Sequence, residues 1–473
     1  MNEKNRLIKN TGIIAIGNIS TKLVSFLLLP LYTSLLTKTE YGIVDYIASI
    51  SVFLIPCISV LMDESLFRFL IDCKTDKERT KVISISIVVI LTGLFVFVTV
   101  AVPILLLIDY QYSLFVILYV VTSAVSTMIS ALLRGIGRTD KYAVYHFLVS
   151  SSTITMNVIF IAGLHMKVEG ILLSTIISHI VWPTIYIIRL KLWKYVDFKS
   201  LDKQLAKEML RYSFPLIPNK LSWSIINVSD RLMIMNMMGA DFSGLYAVSY
   251  KFPTLMDTIY GFFYQSWKES TARVLKEKNR DEFYNSIYSY LKDFMYSVSI
   301  GMIAFMPLAF HFFVNSNFKD AILYVPCLLM GTYFANISGF YGGIFTSNKN
   351  TKIMGISTVY AAVINIVINL IFIRLIGLYA AALSTFFANF LVYLYRKAKV
   401  KQYVVLKENA IKSIIAIVVL AAVIVLFYQQ NTAATVISCV IASVYALITN
   451  KTLICKCIEM VLKRKLKVNH NDN

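Results

Sequence analysis

The 473-residue chain is poor in charge and in anything that crosslinks: 15% of it is Asp, Glu, Lys or Arg, the acids number 26 against 46 basic residues, and there are six cysteines. No polar stretch approaches the roughly 50 residues that a small folded domain needs, so catalysis in a separate globular module is excluded. Cys57, Cys327 and Cys439 lie in apolar stretches, and Cys73, Cys455 and Cys457 lie near their ends. That scatter gives no disulfide framework, and no His or Cys cluster beside Cys455 and Cys457 completes a metal site.

What the chain has is length in apolar runs, at 58% hydrophobic residues overall. A hydrocarbon core of about 30 Å takes about 20 residues of helix, because each rises about 1.5 Å and no backbone group finds water inside. Such stretches run over 11–36, 41–65, 82–108, 113–134, 142–165, 169–190, 209–238, 242–267, 287–314, 320–346, 350–373, 375–395, 411–428 and 431–450. Counting those in the end turns of a stretch with the gap they border, 37 of the 46 Lys and Arg fall in alternate gaps on the side of the N-terminus, 4 on the opposite side and 5 deeper inside spans. Short Lys/Arg-rich loops stay in the cytoplasm, which places both termini there. The net charge of +20 then faces an anionic leaflet, and nucleic acid is not expected as a partner. The first stretch is too long, and too polar at Asn18 and Lys22, for a cleaved signal peptide, so it is expected to remain as a helix. The expected fold class is all-α integral membrane, with about 14 transmembrane helices.

The second half echoes the first. Asn157-Val-Ile-Phe-Ile followed by Leu173-Ser174-Thr175 recurs as Asn369-Leu-Ile-Phe-Ile followed by Leu383-Ser384-Thr385, and Gly42-Ile43 recurs as Gly244-Leu245. Six helices per copy return the chain to its starting side, so the copies are parallel, two six-helix lobes plus two extra C-terminal helices. The expected domains are 1–208 (helices 1–6), 209–400 (helices 7–12) and 401–473 (helices 13–14 and a basic tail). Parallel repeats suit alternating access, with a site between the lobes near mid-membrane.

Polar residues inside spans are expensive and face a cavity or a partner. Lys22 stands about 16 Å into the first span, with Asn18 and Ser25 on its face. Shifted by the repeat, these positions become Lys220, Ser224 and Asn227, and the same stripe of the seventh span extends to Ser213 and Arg231. Such a stripe lines a path for an anionic group, or else Asp45, Asp230 or Asp257 neutralises its cations in structural pairs. The eighth span presents Tyr246, Tyr250, Pro253, Asp257, Tyr260 and Tyr264 within about 80° of rotation. Aromatic faces with hydroxyl tips suit sugar rings, while an interfacial belt explains the end tyrosines equally well. Asp63, Glu64 and Arg68 close the second span, where Glu64 and Arg68 can pair four apart as an anchor or gate. His179, in the middle of the sixth span, is a candidate for carrying a coupling proton, or is a neutral packing residue.

A resemblance covers the whole chain. Lys9-Asn-Thr-Gly-Ile with Gly17-Asn18, Thr39-Glu40-Tyr41-Gly42-Ile43, Glu64-Ser-Leu-Phe-Arg68-Phe, Arg134-Gly-Ile-Gly-Arg138-Thr-Asp-Lys141, Gly244-Leu-Tyr246 with Tyr250-Lys251, and Phe263-Tyr-Gln265-Ser-Trp267 are similar to the polysaccharide-transporter branch of the multidrug/oligosaccharidyl-lipid/polysaccharide exporter superfamily. The resemblance implies a flippase in a bacterial cytoplasmic membrane that moves undecaprenyl-pyrophosphate-linked repeat units outward for O-antigen, capsule or exopolysaccharide. It implies two six-helix lobes, a cationic cavity, no ATPase site and no cofactor, with coupling to a proton or sodium gradient, and membrane lipids and other polysaccharide assembly proteins as partners. Lys22, Lys220 and Arg231 match the family's cavity charges by position, where the family more often has arginine. A multidrug exporter, or an exporter of another lipid-linked glycan such as a teichoic-type polymer, is the alternative on the same fold. Embedded cations rather than carboxylates favour an anionic cargo over a drug.

Overall fold

A computed structural model describes residues 26–348 and 350–455. They form sixteen α-helices: α1 Leu29–Leu35, α2 Lys38–Ser59, α3 Met62–Asp72, α4 Asp76–Leu107, α5 Ser113–Gly135, α6 Thr139–Asn157, α7 Lys167–Arg189, α8 Lys203–Ser213, α9 Leu216–Met237, α10 Ala240–Arg273, α11 Arg280–Phe313, α12 Val325–Ser347, α13 Lys352–Ile376, α14 Leu378–Val400, α15 Ala410–Tyr428 and α16 Thr432–Thr449. There is no strand among the described residues.

Eleven segments among the described residues are long and apolar enough to cross a membrane, against the fourteen stretches read from the sequence. The first stretch, 11–36, lies mostly outside the described residues. The seventh and eighth form α9 and α10, whose charged residues Lys220, Asp230 and Arg231, and Lys251 and Asp257, keep them from reading as simple spans. Leu107, Leu375, Ile411 and Ile448 are exposed, as side chains that face lipid must be.

Several boundaries have plain chemical causes. Thr37 caps α2 in a reciprocal box with Glu40, and Thr75 does the same for α4 with Glu78, so each pair satisfies two otherwise orphaned N–H groups. The second stretch, read as one span to 65, is broken instead by left-handed Val60 and Leu61, and α3 restarts as a separate helix. Pro215, which has no N–H to donate, separates α8 from α9 where the sequence reads one span from 209.

By its contacts the chain divides into one unit of Met1–Ala247 with Asn369–Gly377 and another of Val248–Ile368 with Leu378–Asn473. In the first, Met62, Leu66 and Leu70 of α3 pack with Val82 and Ile83 of α4 and with Leu132 and Leu133 of α5. At its other end α2 meets α10 backbone to backbone. A Cβ on Gly42 would lie 2.1 Å from the Ala240 carbonyl oxygen, and one on Gly244 would lie 2.0 Å from that of Lys38. Thr39 donates to Asp241 beside this crossing, 202 positions away. The repeat offset therefore relates each residue of the crossing to its own counterpart.

In the second unit the Trp267 and Phe340 rings stack at 4.1 Å, with Tyr284, Tyr288 and Tyr341 buried around them. The link between α14 and α15 is strapped along the start of α11. Arg280 donates to the Tyr403 carbonyl at 3.0 Å, Tyr288 to Glu408 at 2.7 Å and Lys292 to Ser413 at 2.8 Å, while Lys397 pairs with Glu408 at 2.7 Å.

Candidate functional site

The polar centre of the first unit is built where α2 packs on α9. The capped start of α2 sets its rotation, and Asp45 and Ser49, one turn apart, share the face turned to α9. Arg231 donates from Nη1 to Asp45 Oδ1 at 2.9 Å and to Ser49 Oγ at 3.5 Å. The two charged side chains are 21% and 14% exposed, so the pair is sheltered yet reachable. It stands about 10 Å from the Lys38 end of α2 and from the Met237 end of α9.

The preceding residue turns the other way. Asp230 is buried and accepts from the Tyr246 hydroxyl at 2.8 Å and from Asn369 Nδ2 at 2.6 Å. Two charges side by side on α9 thus turn to different helices: the cation toward a carboxylate of α2, the anion toward hydrogen-bond donors of α10 and α13. A buried carboxylate is tolerable only with such donors. The counterpart of Asn369 in the first half, Asn157, donates to the Tyr32 hydroxyl at 2.8 Å and is followed at once by a π-helical turn, Val158–Gly163.

The residues picked from sequence distribute unevenly. Asn18, Lys22 and Ser25 lie outside the described residues, as does the side chain of Asn227, although its backbone is in α9. Ser224 is buried in α9. Lys220 is exposed in the first turns of α9, because the break at Pro215 brings the helix start close to it, and it lies within electrostatic reach of half-buried Asp63. Arg68 reaches Asp72 at 2.7 Å rather than Glu64, and Glu64 is exposed. Forward pairing from Arg68 joins two well-exposed chains at the end of α3, where either partner is sterically available. Tyr250 and Asp257 are half-buried on α10 in the second unit. His179 meets Ser123 Oγ with Nδ1 at 3.1 Å.

Sequence reasoning named Asp45 and Asp230 only as possible neutralisers and gave Asn369 and Tyr246 no joint role. The Asn157/Asn369 echo was the signal available, since a repeated polar residue inside apolar helices must have repeated partners. Chemically, a guanidinium offers five N–H donors in a planar fork that fits phosphate oxygens, and an incoming anion competes for it with Asp45. Among the described residues no three His, Cys, Asp or Glu gather as a metal ion needs.

Comparison with known proteins gives the same outline. A family model described as "Polysaccharide biosynthesis protein" matches residues 7–267. An uncharacterized membrane protein of Methanocaldococcus jannaschii is 23% identical over 425 residues, which is 84% of this chain and 100% of that protein. The solved structure of the lipid II flippase MurJ in an inward closed conformation superposes with a TM-score of 0.73 at 17% identity, covering 94% of this chain and 99% of that one. A multidrug resistance MATE family transporter of the MOP superfamily, in an inward-facing conformation, gives 0.62 at 17% identity over 81% and 98%. Likeness at this level establishes a shared fold.

Proposed function

We propose that this multi-pass membrane protein, which belongs to the polysaccharide biosynthesis protein family, is a flippase for lipid-linked glycans. The cargo is an undecaprenyl-pyrophosphate-linked oligosaccharide repeat unit, carried across the bacterial cytoplasmic membrane by alternating access of two parallel helical repeats, in company with other polysaccharide assembly proteins. The observation that carries the reading is Arg231, sheltered in a helical membrane bundle and held by Asp45 and Ser49. A pyrophosphate needs a desolvated cation, and Arg231 exchanges one oxyanion for another without being stranded. Lys22 and Lys220 supply further positive charge along the path. Tyr250 and Asp257 offer the aromatic face and polar edge that a sugar ring requires, and the isoprenoid tail stays in the bilayer.

In vesicles with fluorescent undecaprenyl-pyrophosphate-linked glycan in both leaflets, the full chain is expected to bring the inner-leaflet probe, protected in protein-free vesicles, within reach of an external quencher. The rate falls at least tenfold in Arg231→Ala and Lys22→Ala and less in Arg231→Lys, which keeps the charge and loses the fork. Wild-type vesicles that leave the glycolipid in place while expelling a lipophilic cationic dye would assign the protein to drug export instead.

A further inference from the structure

The two helices outside the internal repeat, α15 and α16, build a cavity for which the repeat supplies no counterpart. α16 is tied to α11 at two levels: Asn450 donates to Ser297 Oγ at 2.8 Å, and Cys439 donates to the Ala304 carbonyl at 3.3 Å. Past Ala304 the helices part. At the end of α11 away from the strap, about 45 Å along the helix from Arg280, they leave a cavity of about 520 Å³. It lies between the last turns of α11, the 3₁₀ segment Ser316–Tyr324 and the turn from α15 into α16. Its floor is apolar, made by buried Phe310 and Phe427. Leu308 also lines it and is itself exposed, so the mouth reaches the flank that faces lipid.

The 3₁₀ segment has three residues per turn, which sorts its side chains. Phe318 and Ala321, three apart, are buried. Asn315 caps the segment by accepting from the Asn317 N–H at 3.1 Å, and Ser249 of α10 donates to the Ala321 carbonyl at 2.7 Å. Lys319 and Asp320, between the two buried positions, are thereby turned out to line the cavity. Among the described residues neither side chain forms an ion pair or a hydrogen bond. Lys167, another of the four basic residues that the sequence sets on the side opposite the N-terminus, is by contrast taken up by Glu40 at 2.8 Å. Across the cavity, Tyr428 donates to the Leu323 carbonyl at 2.9 Å and holds the α15–α16 turn to the segment, and Gln430 and Thr435 form the other wall.

We propose that this cavity binds the headgroup of a zwitterionic phospholipid, phosphoethanolamine, from the leaflet at that end of the bundle. The lipid phosphate meets the Lys319 ammonium, and the headgroup ammonium meets the Asp320 carboxylate, both through charge-assisted hydrogen bonds. An anionic headgroup has no use for Asp320 and is repelled by it. A neutral sugar satisfies amides and hydroxyls but brings neither charge a counter-charge. A primary ammonium also has N–H groups to give, for which Asp320 and the Gln430 amide oxygen are acceptors, whereas the trimethylammonium of phosphocholine donates none. His311, on the same wall, can hydrogen-bond with either part of the headgroup. The glycerol and first methylenes rest on Phe310 and Phe427, and the acyl chains leave past Leu308 into the bilayer.

The full chain, stripped of lipid in a polyoxyethylene detergent and titrated with one phospholipid at a time, is read by native mass spectrometry as the fraction that carries a lipid. Dioleoyl phosphatidylethanolamine is expected to bind about tenfold more tightly than dioleoyl phosphatidylglycerol, with the phosphatidylcholine between them, since one charge-assisted hydrogen bond is worth about that factor. Lys319→Gln weakens the ethanolamine lipid by about the same tenfold. Asp320→Asn removes the counter-charge and the repulsion together, so the ethanolamine lipid weakens, the glycerol lipid strengthens, and the two come within about twofold of each other. Thr435→Leu keeps both charges and fills one wall, lowering the affinity for all three lipids, which keeps the test decisive should a charge variant misfold. Arg374→Gln, at an exposed arginine of α13, changes none of these affinities. Wild type that binds the three lipids alike, or an ethanolamine preference that survives in both Lys319→Gln and Asp320→Asn, overturns the site. So does displacement of the bound lipid by maltohexaose and not by glycerophosphoethanolamine, which would make the cavity a sugar site. The assay contains no glycolipid and no transport step, so its failure leaves the flippase reading untouched.

Discussion

Arg231 and Arg396 are two arginines inside helical bundles, and they are held in opposite ways. Arg231 leans on a carboxylate, Asp45, at 2.9 Å, and keeps a fifth of its side chain exposed. Arg396, in the last turns of α14, is 2% exposed and donates to Ser357 Oγ at 2.9 Å, the Ser338 carbonyl at 3.2 Å, Thr358 Oγ1 at 3.3 Å and the Met354 carbonyl at 3.4 Å. All four acceptors are neutral. They belong to α12 and α13, so one guanidinium staples three helices of the second unit. A cation fixed by neutral oxygens from three directions has no exchangeable partner and works as structure. One that leans on a carboxylate in a reachable place can trade that partner for another anion, which is what a carrier requires.

The contrast is sharpest at Arg396. Arg396→Ala removes four hydrogen bonds from a charged donor and leaves a void among three helices, and is expected to cost at least about 3 kcal/mol, read as a large drop in the thermal unfolding midpoint in detergent. Neutral filling by Met should recover only the packing, since it restores none of those bonds; near-wild-type stability of either variant would remove the staple. For Arg231→Ala a smaller loss is expected, about 2 kcal/mol, because the Asp45 carboxylate left behind is sheltered but not sealed. Adding Asp45→Ala should return stability to within about 1 kcal/mol of wild type without restoring transport, so a double-mutant cycle in unfolding, run beside the translocation assay, separates the two roles.

The smallest effect belongs to the strap, where Glu408 again answers lysine with carboxylate, at the surface. Burial alone would raise the Glu408 carboxyl, but Lys397, the Tyr288 hydroxyl and Lys292 together hold it below its ordinary value of 4.5. A carboxyl lowered by folding contributes fully above its unfolded value and loses that contribution as pH falls through the lowered one. Glu408→Gln is therefore expected to cost about 0.2–1 kcal/mol at neutral pH and nothing in acid well below pH 4.5, visible as unfolding midpoints that converge on acidification.

Hydrophobic length carried most of the fold into the sequence: α4, α5, α7, α11, α15 and α16 lie where the apolar runs place them. Breaks made by backbone geometry were not legible, because nothing in Val60 and Leu61 announces a left-handed turn; the packing of α3 imposes it. At the site, Arg231 stood out by cost alone. Its partner did not, since helical periodicity orders residues along one helix and says nothing of which helix lies opposite. Arg396 is hidden for a related reason: it directly follows the apolar stretch 375–395, and beside Lys397 and Lys399 it reads as one more loop charge, while its burial in the last turns of α14 separates it from them.

The crossing of α2 on α10 bears on how such a chain arose. Gly42 faces Ala240 and Gly244 faces Lys38, so the repeat offset turns each half of the contact into the other. A surface that fits its own copy about a dyad is an isologous interface, the kind that holds a homodimer together. A half-length protein carrying a Thr-x-x-Gly step like that of residues 39–42 would already own the surface needed to pair with itself. Fusion of two such copies into one chain would make the pairing permanent and free the two sides to diverge. The same crossing makes each glycine answer for two contacts, so a methyl group added at either one pushes against backbone contributed by the other half.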